Sequence, residues 1–140
     1  MKVREAMAET ISCASPGDRL QDAARAMREE DAGFIPVVDE GRLVGVLTDR
    51  DIVLRSIAEG ATDPREGKVA EIMSTEVRTI APDDDLADAA RIMSEGEVRR
   101  LPVVADGGRI VGILSHGNLV QATEGKGPGR TATTGVTEGA

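Results

Sequence analysis

"PGDRLQDAARAM", Pro16 to Met27, is answered 66 positions later by "PDDDLADAARIM", Pro82 to Met93. The match extends outward in the same register. "VREAM" (Val3 to Met7) lies over "VAEIM" (Val69 to Met73), and "IPVVD" (Ile35 to Asp39) over "LPVVA" (Leu101 to Ala105). One extra residue in "DGGR" (Asp106 to Arg109) shifts the offset, after which "LVGVLTDRDIV" (Leu43 to Val53) covers "IVGILSHGNLV" (Ile110 to Val120). The chain therefore holds one unit twice, and a repeat of this length is a supersecondary unit that needs its neighbour to complete a core.

Pattern within each copy gives the elements. "TISCA" (Thr10 to Ala14) and "VRTIA" (Val77 to Ala81) are short, rich in β-favouring residues and followed by a proline turn, so they read as strands. "DRLQDAARAMREE" (Asp18 to Glu30) places Leu20, Ala23, Ala24 and Met27 at helical spacing, with Asp18 and Gln21 placed as cap and reciprocal partner. "FIPVVDEGRLVGVLT" and "RLPVVADGGRIVGILS" each carry two β-branched runs around a glycine turn and read as hairpins. "DRDIVLRSIAEG" resumes helical spacing through Ile52, Leu54, Ile57 and Ala58 and stops at Gly60. The expected fold class is α/β of the α+β kind, two β-α-β-β-α repeats spanning 1–58 and 69–121. A polar linker covers 59–68 and a disordered tail 122–140.

Composition narrows the function. With one phenylalanine and no Trp or Tyr, the chain lacks stacking platforms for single-stranded nucleic acid. A net charge of −8 argues against nucleic acid and against an anionic membrane, both of which need a basic field. No apolar run approaches the roughly 20 residues that span a bilayer, and "MKVREAMAET" lacks the apolar segment of a secretory signal. A cytoplasmic protein is expected. One cysteine, Cys13, and one histidine, His116, allow neither an internal disulfide nor a zinc site of familiar spacing, so no metal is expected. Cys13 reads as a small buried hydrophobe of a strand, His116 as a surface residue, and Met27 and Met93 as core.

The element order, the "IPVVD" strand and "LVGVLTDRDI" together resemble the cystathionine β-synthase (CBS) domain, here as a tandem pair or Bateman module covering about Val3 to Gln121. "VREAM", "IPVVDEGRLVGVLTDRDI" and "EVRRLPVV" are similar to the small stand-alone bacterial proteins made of one CBS pair, the group that includes hypoxic response protein 1. The resemblance implies a pseudo-twofold module with two clefts between the repeats, dimerised as a flat disc. It also implies a ligand drawn from AMP, ADP, ATP and S-adenosylmethionine, with no required cofactor. Cleft one would take Thr48, Arg50 and Asp51 from the first copy with Thr79, Val98 and Arg99 from the second. Cleft two would take Ser115 and Asn118 with Ser12, Gly33 and Phe34, and Arg100 reaching phosphate.

The residues themselves allow two readings of Thr48-x-x-Asp51. Threonine followed three residues later by an acid at the start of an apolar helix is a capping box. The same hydroxyl and free N–H groups also suit a phosphate, while the carboxylate suits the two hydroxyl donors of a ribose. In the second copy "GILSHGN" substitutes Ser, Gly and Asn, and an uncharged amide makes a weaker bond to a diol than a carboxylate does. Arg99 and Arg100 stand as adjacent cations on a strand edge, directed to opposite faces by strand alternation.

No nucleophile and base stand in a recognisable motif and no P-loop is present, so the protein is expected not to be an enzyme. The leading expectation is a regulatory module that binds an adenosine nucleotide and relays its level to a protein partner. The alternative is a ligand-independent dimeric assembly protein.

Overall fold

A computed structural model of the chain describes residues 1–123, which form two compact units. The units do not follow the borders of the sequence repeats. The first unit is Ser12–Val77; the second combines Met1–Ile11 with the chain from Arg78 onward. The opening of each repeat therefore belongs to the unit built on the other.

In the first unit, helix α1 (Leu20–Glu30) precedes a hairpin of β1 (Phe34–Asp39) and β2 (Arg42–Thr48). A helical turn α2 (Asp49–Asp51) then runs on as a π-helix (Ile52–Ala58). Leu20, Ala23 and Met27 bury the α1 stripe against Ile35, Val37 and Leu47 of the hairpin. Val69 and Ile72, from the start of repeat two, complete this core and are almost fully buried. Each such side chain contributes roughly 1.5–3 kcal/mol by leaving water.

The second unit has the same plan, with α3 (Leu86–Gly96), β3 (Arg100–Val104), β4 (Ile110–Ser115) and α4 (His116–Thr123). Its core gathers Leu86, Met93, Leu101, Val103, Leu114 and Leu119 around Val3, with Ala6 and Met7 packed on it. Both methionines expected in the core are there, Met27 in one unit and Met93 in the other.

The hairpins keep matching registers. Phe34 faces Thr48 in one, Arg100 faces Ser115 in the other, and each carries a bulge in its inner half. Glu40 and Gly41 both take positive φ, as the two-residue hairpin turn between β1 and β2 demands.

Several expectations are corrected. "TISCA" and "VRTIA" are not full strands: each meets its hairpin through one parallel bridge, Ala14 to Val37 and Ile80 to Val103. The nearby prolines Pro16 and Pro82 have no N–H to extend the ladder. Cys13 is exposed, because it lies beside the bridge instead of inside a strand. Asp18 does not cap α1; its carboxylate accepts the Ser15 N–H at 2.8 Å. The first free amides of α1 are met by the supposed linker, Leu20 N–H donating to the Gly67 carbonyl at 2.8 Å and Gln21 N–H to that of Arg65 at 3.2 Å. The linker is thus a capping element of the first unit. Met1 does the same for the second, its carbonyl accepting the Leu86 N–H at 2.9 Å. The last helix reaches Thr123, past the expected border at Gln121, and the tail beyond it lies outside the described residues.

Candidate functional site

The motif Gly45-x-x-Thr48-x-x-Asp51 crosses from β2 into α2, and both bonds of the capping box are formed. Asp51 N–H donates to Thr48 Oγ1 and Thr48 N–H donates to Asp51 Oδ2, each at 3.0 Å. Thr48 keeps an extended backbone while the next residue is helical, which opens the helix at the end of the strand. The cap reading of this motif is therefore correct as geometry.

The Asp51 carboxylate has further partners that the motif does not contain. Ser74 Oγ lies 3.3 Å from Oδ1 and 3.4 Å from Oδ2, and Arg55 Nε is 3.8 Å from Oδ1. The carboxylate is only 12% exposed. Arg55 is itself anchored, donating from Nη1 to the carbonyls of Ile72 at 3.0 Å and Met73 at 3.3 Å. Ser74 is brought to the site because its backbone pairs with Val46 of β2 in both directions, at 2.8 and 2.9 Å. Sequence reasoning missed Ser74 and Arg55. The available signal was the repeat alignment, in which Ser74 stands over Ala8 and Arg55 over Ala122.

The other residues expected on the first unit gather at the same end of the hairpin. Phe34 faces Thr48 across the strands, and the Gly33 carbonyl accepts the Asp49 N–H at 3.0 Å. A side chain at Gly33 would meet the Asp49 carboxylate, which would have to swing aside. Arg50 is exposed on the first turn of α2. Ser12 is exposed too, and its hydroxyl donates to Glu30 at 2.7 Å. Beside Gly33, a recess of about 430 Å³ is lined by Met27, Arg28, Asp31, Asp49 and Val53. Residues expected for different clefts are thus neighbours within one unit.

On the second unit, Ser115 and Asn118 repeat the box with an amide: Asn118 N–H donates to Ser115 Oγ at 3.0 Å, and Ser115 N–H to Asn118 Oδ1 at 3.2 Å. Arg100 pairs with Ser115 across the hairpin, which brings these three together. The exposed Arg99 offers its carbonyl to the His116 N–H at 2.7 Å. Partial burial, and then the Arg99 cation, push the His116 imidazole below its ordinary value. Val98 follows the left-handed Glu97 that ends α3, and Thr79 is exposed one residue before the Ile80 bridge.

Among the described residues no group of three or more His, Cys, Asp and Glu stands together as metal ligands, and no helix is long and apolar enough to cross a membrane.

Comparison with known proteins bears on the fold. The CBS domain profile matches residues 3–57 and again 69–125. The CBS domain-containing protein YhcV of Bacillus subtilis is 42% identical over 119 residues, 84% of this chain and 81% of its own. Hypoxic response protein 1 of Mycobacterium tuberculosis is 33% identical over the same length, covering 84% of this chain and 82% of its own. A crystal structure of Hypoxic Response Protein I with two coordinated zinc ions has a TM-score of 0.77 at 32% identity, covering 87% of this chain and 98% of that one. CBSX2 in complex with AMP gives 0.77 at 29% identity, covering 88% and 96%. The CBS domain pair of protein MJ0100, in complex with 5′-methylthioadenosine and S-adenosyl-L-methionine, gives 0.75 at 26%, covering 89% and 97%.

Proposed function

The chain belongs to the CBS-domain family and carries the domain twice, and on that premise we propose that it is a non-enzymatic regulatory module. It binds an adenosine-containing nucleotide and relays the level of that nucleotide to a protein partner. The observation that carries the reading is the Asp51 carboxylate, three residues from the Thr48 hydroxyl and held largely out of water at the start of α2. A carboxylate has about four lone-pair sites, so the bonds it already makes leave room for a vicinal diol.

The ligands in the complexes of CBSX2 and MJ0100 differ in charge and size but share adenosine. That supports adenosine as the recognised part. In the proposed arrangement Asp51 takes the ribose, Thr48 and Arg50 the phosphate side, and Thr79, Val98 and Arg99 the rest. Ser115, Asn118, Arg100, Ser12, Gly33 and Phe34 form the weaker second set, weaker because Asn118 carries no charge.

Thermal unfolding of the full chain with AMP, ADP, ATP and S-adenosylmethionine tests this. At 100-fold excess over Kd, a ligand that binds only the folded protein adds about 2.7 kcal/mol. Asp51→Ala is expected to lose that increment, measured against its own unliganded midpoint because the variant also loses a cap. A flat response to every nucleotide, or the full increment in Asp51→Ala, would sink the proposal.

One observation favours a second reading, assembly through the surface. Val53, Leu54 and Ile57 are large apolar residues exposed on the π-helix. Clustered apolar exposure of this kind marks contact surfaces, and it supports a homodimer whether or not nucleotide binds.

A further inference from the structure

We infer that Ser74 and Arg55 are positioning residues that turn Asp51 into a ribose-selecting group, so that discrimination between ribo- and 2′-deoxyribonucleotides resides in the Ser74–Arg55–Asp51 cluster. The inference rests on the nucleotide reading above and assigns its selectivity to residues outside the binding motif.

The geometry supplies the reason. Left alone, a carboxylate at the third position of a capping box can rotate so that either oxygen takes the Thr48 amide. Here it is fixed from three sides. Thr48 N–H holds Oδ2 at 3.0 Å, the Ser74 hydroxyl straddles both oxygens at 3.3 and 3.4 Å, and Arg55 Nε stands 3.8 Å from Oδ1. Arg55 cannot collapse onto the carboxylate, because its Nη1 is tied to the Ile72 and Met73 carbonyls. It therefore acts as a fixed cation near Oδ1 and leaves that oxygen able to accept. A carboxylate oriented before the ligand arrives binds a diol without first losing rotamer freedom. Loss of one diol hydroxyl then leaves a mostly buried acceptor unmatched, which is how a polar site rejects an analogue lacking a single OH.

The second unit lacks all three members. Asn118, Ala8 and Ala122 occupy the positions of Asp51, Ser74 and Arg55. Its capping box still forms, so the cluster is not needed to start a helix. What the first unit gains from it is an oriented charge.

Isothermal titration of the full chain with AMP and with 2′-deoxy-AMP provides the test. The unaltered protein is expected to prefer AMP by about tenfold or more, the worth of a hydrogen bond to a charged group. Ser74→Ala and Arg55→Ala are each expected to shrink the preference to within about threefold, and Ser74→Thr to restore it. A purely structural role would weaken both ligands equally and leave the ratio intact, and an intact ratio in Ser74→Ala overturns the inference. In the ligand-free protein, amide exchange at Thr48 should quicken severalfold in the Ser74→Ala, Arg55→Ala double variant, since its acceptor is no longer held; an unchanged rate also overturns it. Failure of the unaltered chain to bind AMP overturns this inference, while the proposed function falls with it only if the thermal screen is flat for every nucleotide.

Discussion

Gly45 neither caps a helix nor offers a side chain to a ligand, yet a Cβ there would come within 2.7 Å of the Ser74 carbonyl and 3.0 Å of Met73 Sδ. Gly112 is held in the same way by Met7 and the Ala8 carbonyl, the latter 2.9 Å from an added Cβ. Each glycine exists because a chain segment from the opening of the other repeat runs against its strand. Gly45→Ala must push the 73–74 backbone away, and it is expected to cost about 1–3 kcal/mol in urea unfolding, as overpacking does. Gly17→Ala is the control: nothing lies within 4 Å of its added Cβ. That change is expected to be neutral or stabilising by up to about 1 kcal/mol, through the unfolded chain. At this scale the sequence was informative where chemistry is local. Thr48 and Asp51 stand three apart and do cap each other. Ser74 depends on a backbone pairing with Val46 that no spacing rule encodes, whereas Arg55 stands four residues after Asp51, a helical spacing that the sequence does carry.

Elements were legible where burial follows a simple period and lost where the winding changes. The stripe Leu20, Ala23, Ala24 and Met27 predicts α1, and all of it is buried except Ala24, which is exposed. Ile52, Leu54, Ile57 and Ala58 carry an equally good helical stripe, but the segment is wound as a π-helix, Glu59 N–H reaching back to the Leu54 carbonyl. Only Ile52 of that stripe packs on the core, and Leu54, Ile57 and Ala58 are exposed. Ser56 is buried in its place and donates to the Thr62 carbonyl at 2.8 Å, while Val53 and Ile57 are left 53% and 61% exposed. Single π-turns recur at functional sites, and this one displays apolar side chains. If they form a homodimer contact, sedimentation of the unaltered protein gives twice the chain mass. Ile57→Glu is then expected to give the single mass with little change in unfolding midpoint, since the residue contributes little to the folded core. A single mass for the unaltered protein at high concentration would exclude the contact.

For the whole molecule, the repeat was plain in the sequence and the exchange of repeat openings was not. "VREAM" and "VAEIM" are alike, so either could fill either core with the same contacts, and composition gives no preference. The structure places Val69 and Ile72 in the core of Ser12–Val77 and Val3 in the other. Cutting the chain between repeats should therefore damage both halves. A fragment of residues 12–77 is expected to unfold cooperatively on heating, although weakly at this size, whereas residues 1–68 lack two buried core side chains and should show no transition. Equal stability of the two fragments would contradict the exchange. The same arrangement orders events on the ribosome. Residues 12–77 are contiguous and can close as soon as they emerge, but the first eleven residues have no core to enter until β4 and α4 exist. At about 5–20 residues per second the stretch from Val77 to Thr123 takes roughly 2–9 s, during which Val3 and Met7 stay in water on a nascent chain whose middle has already folded.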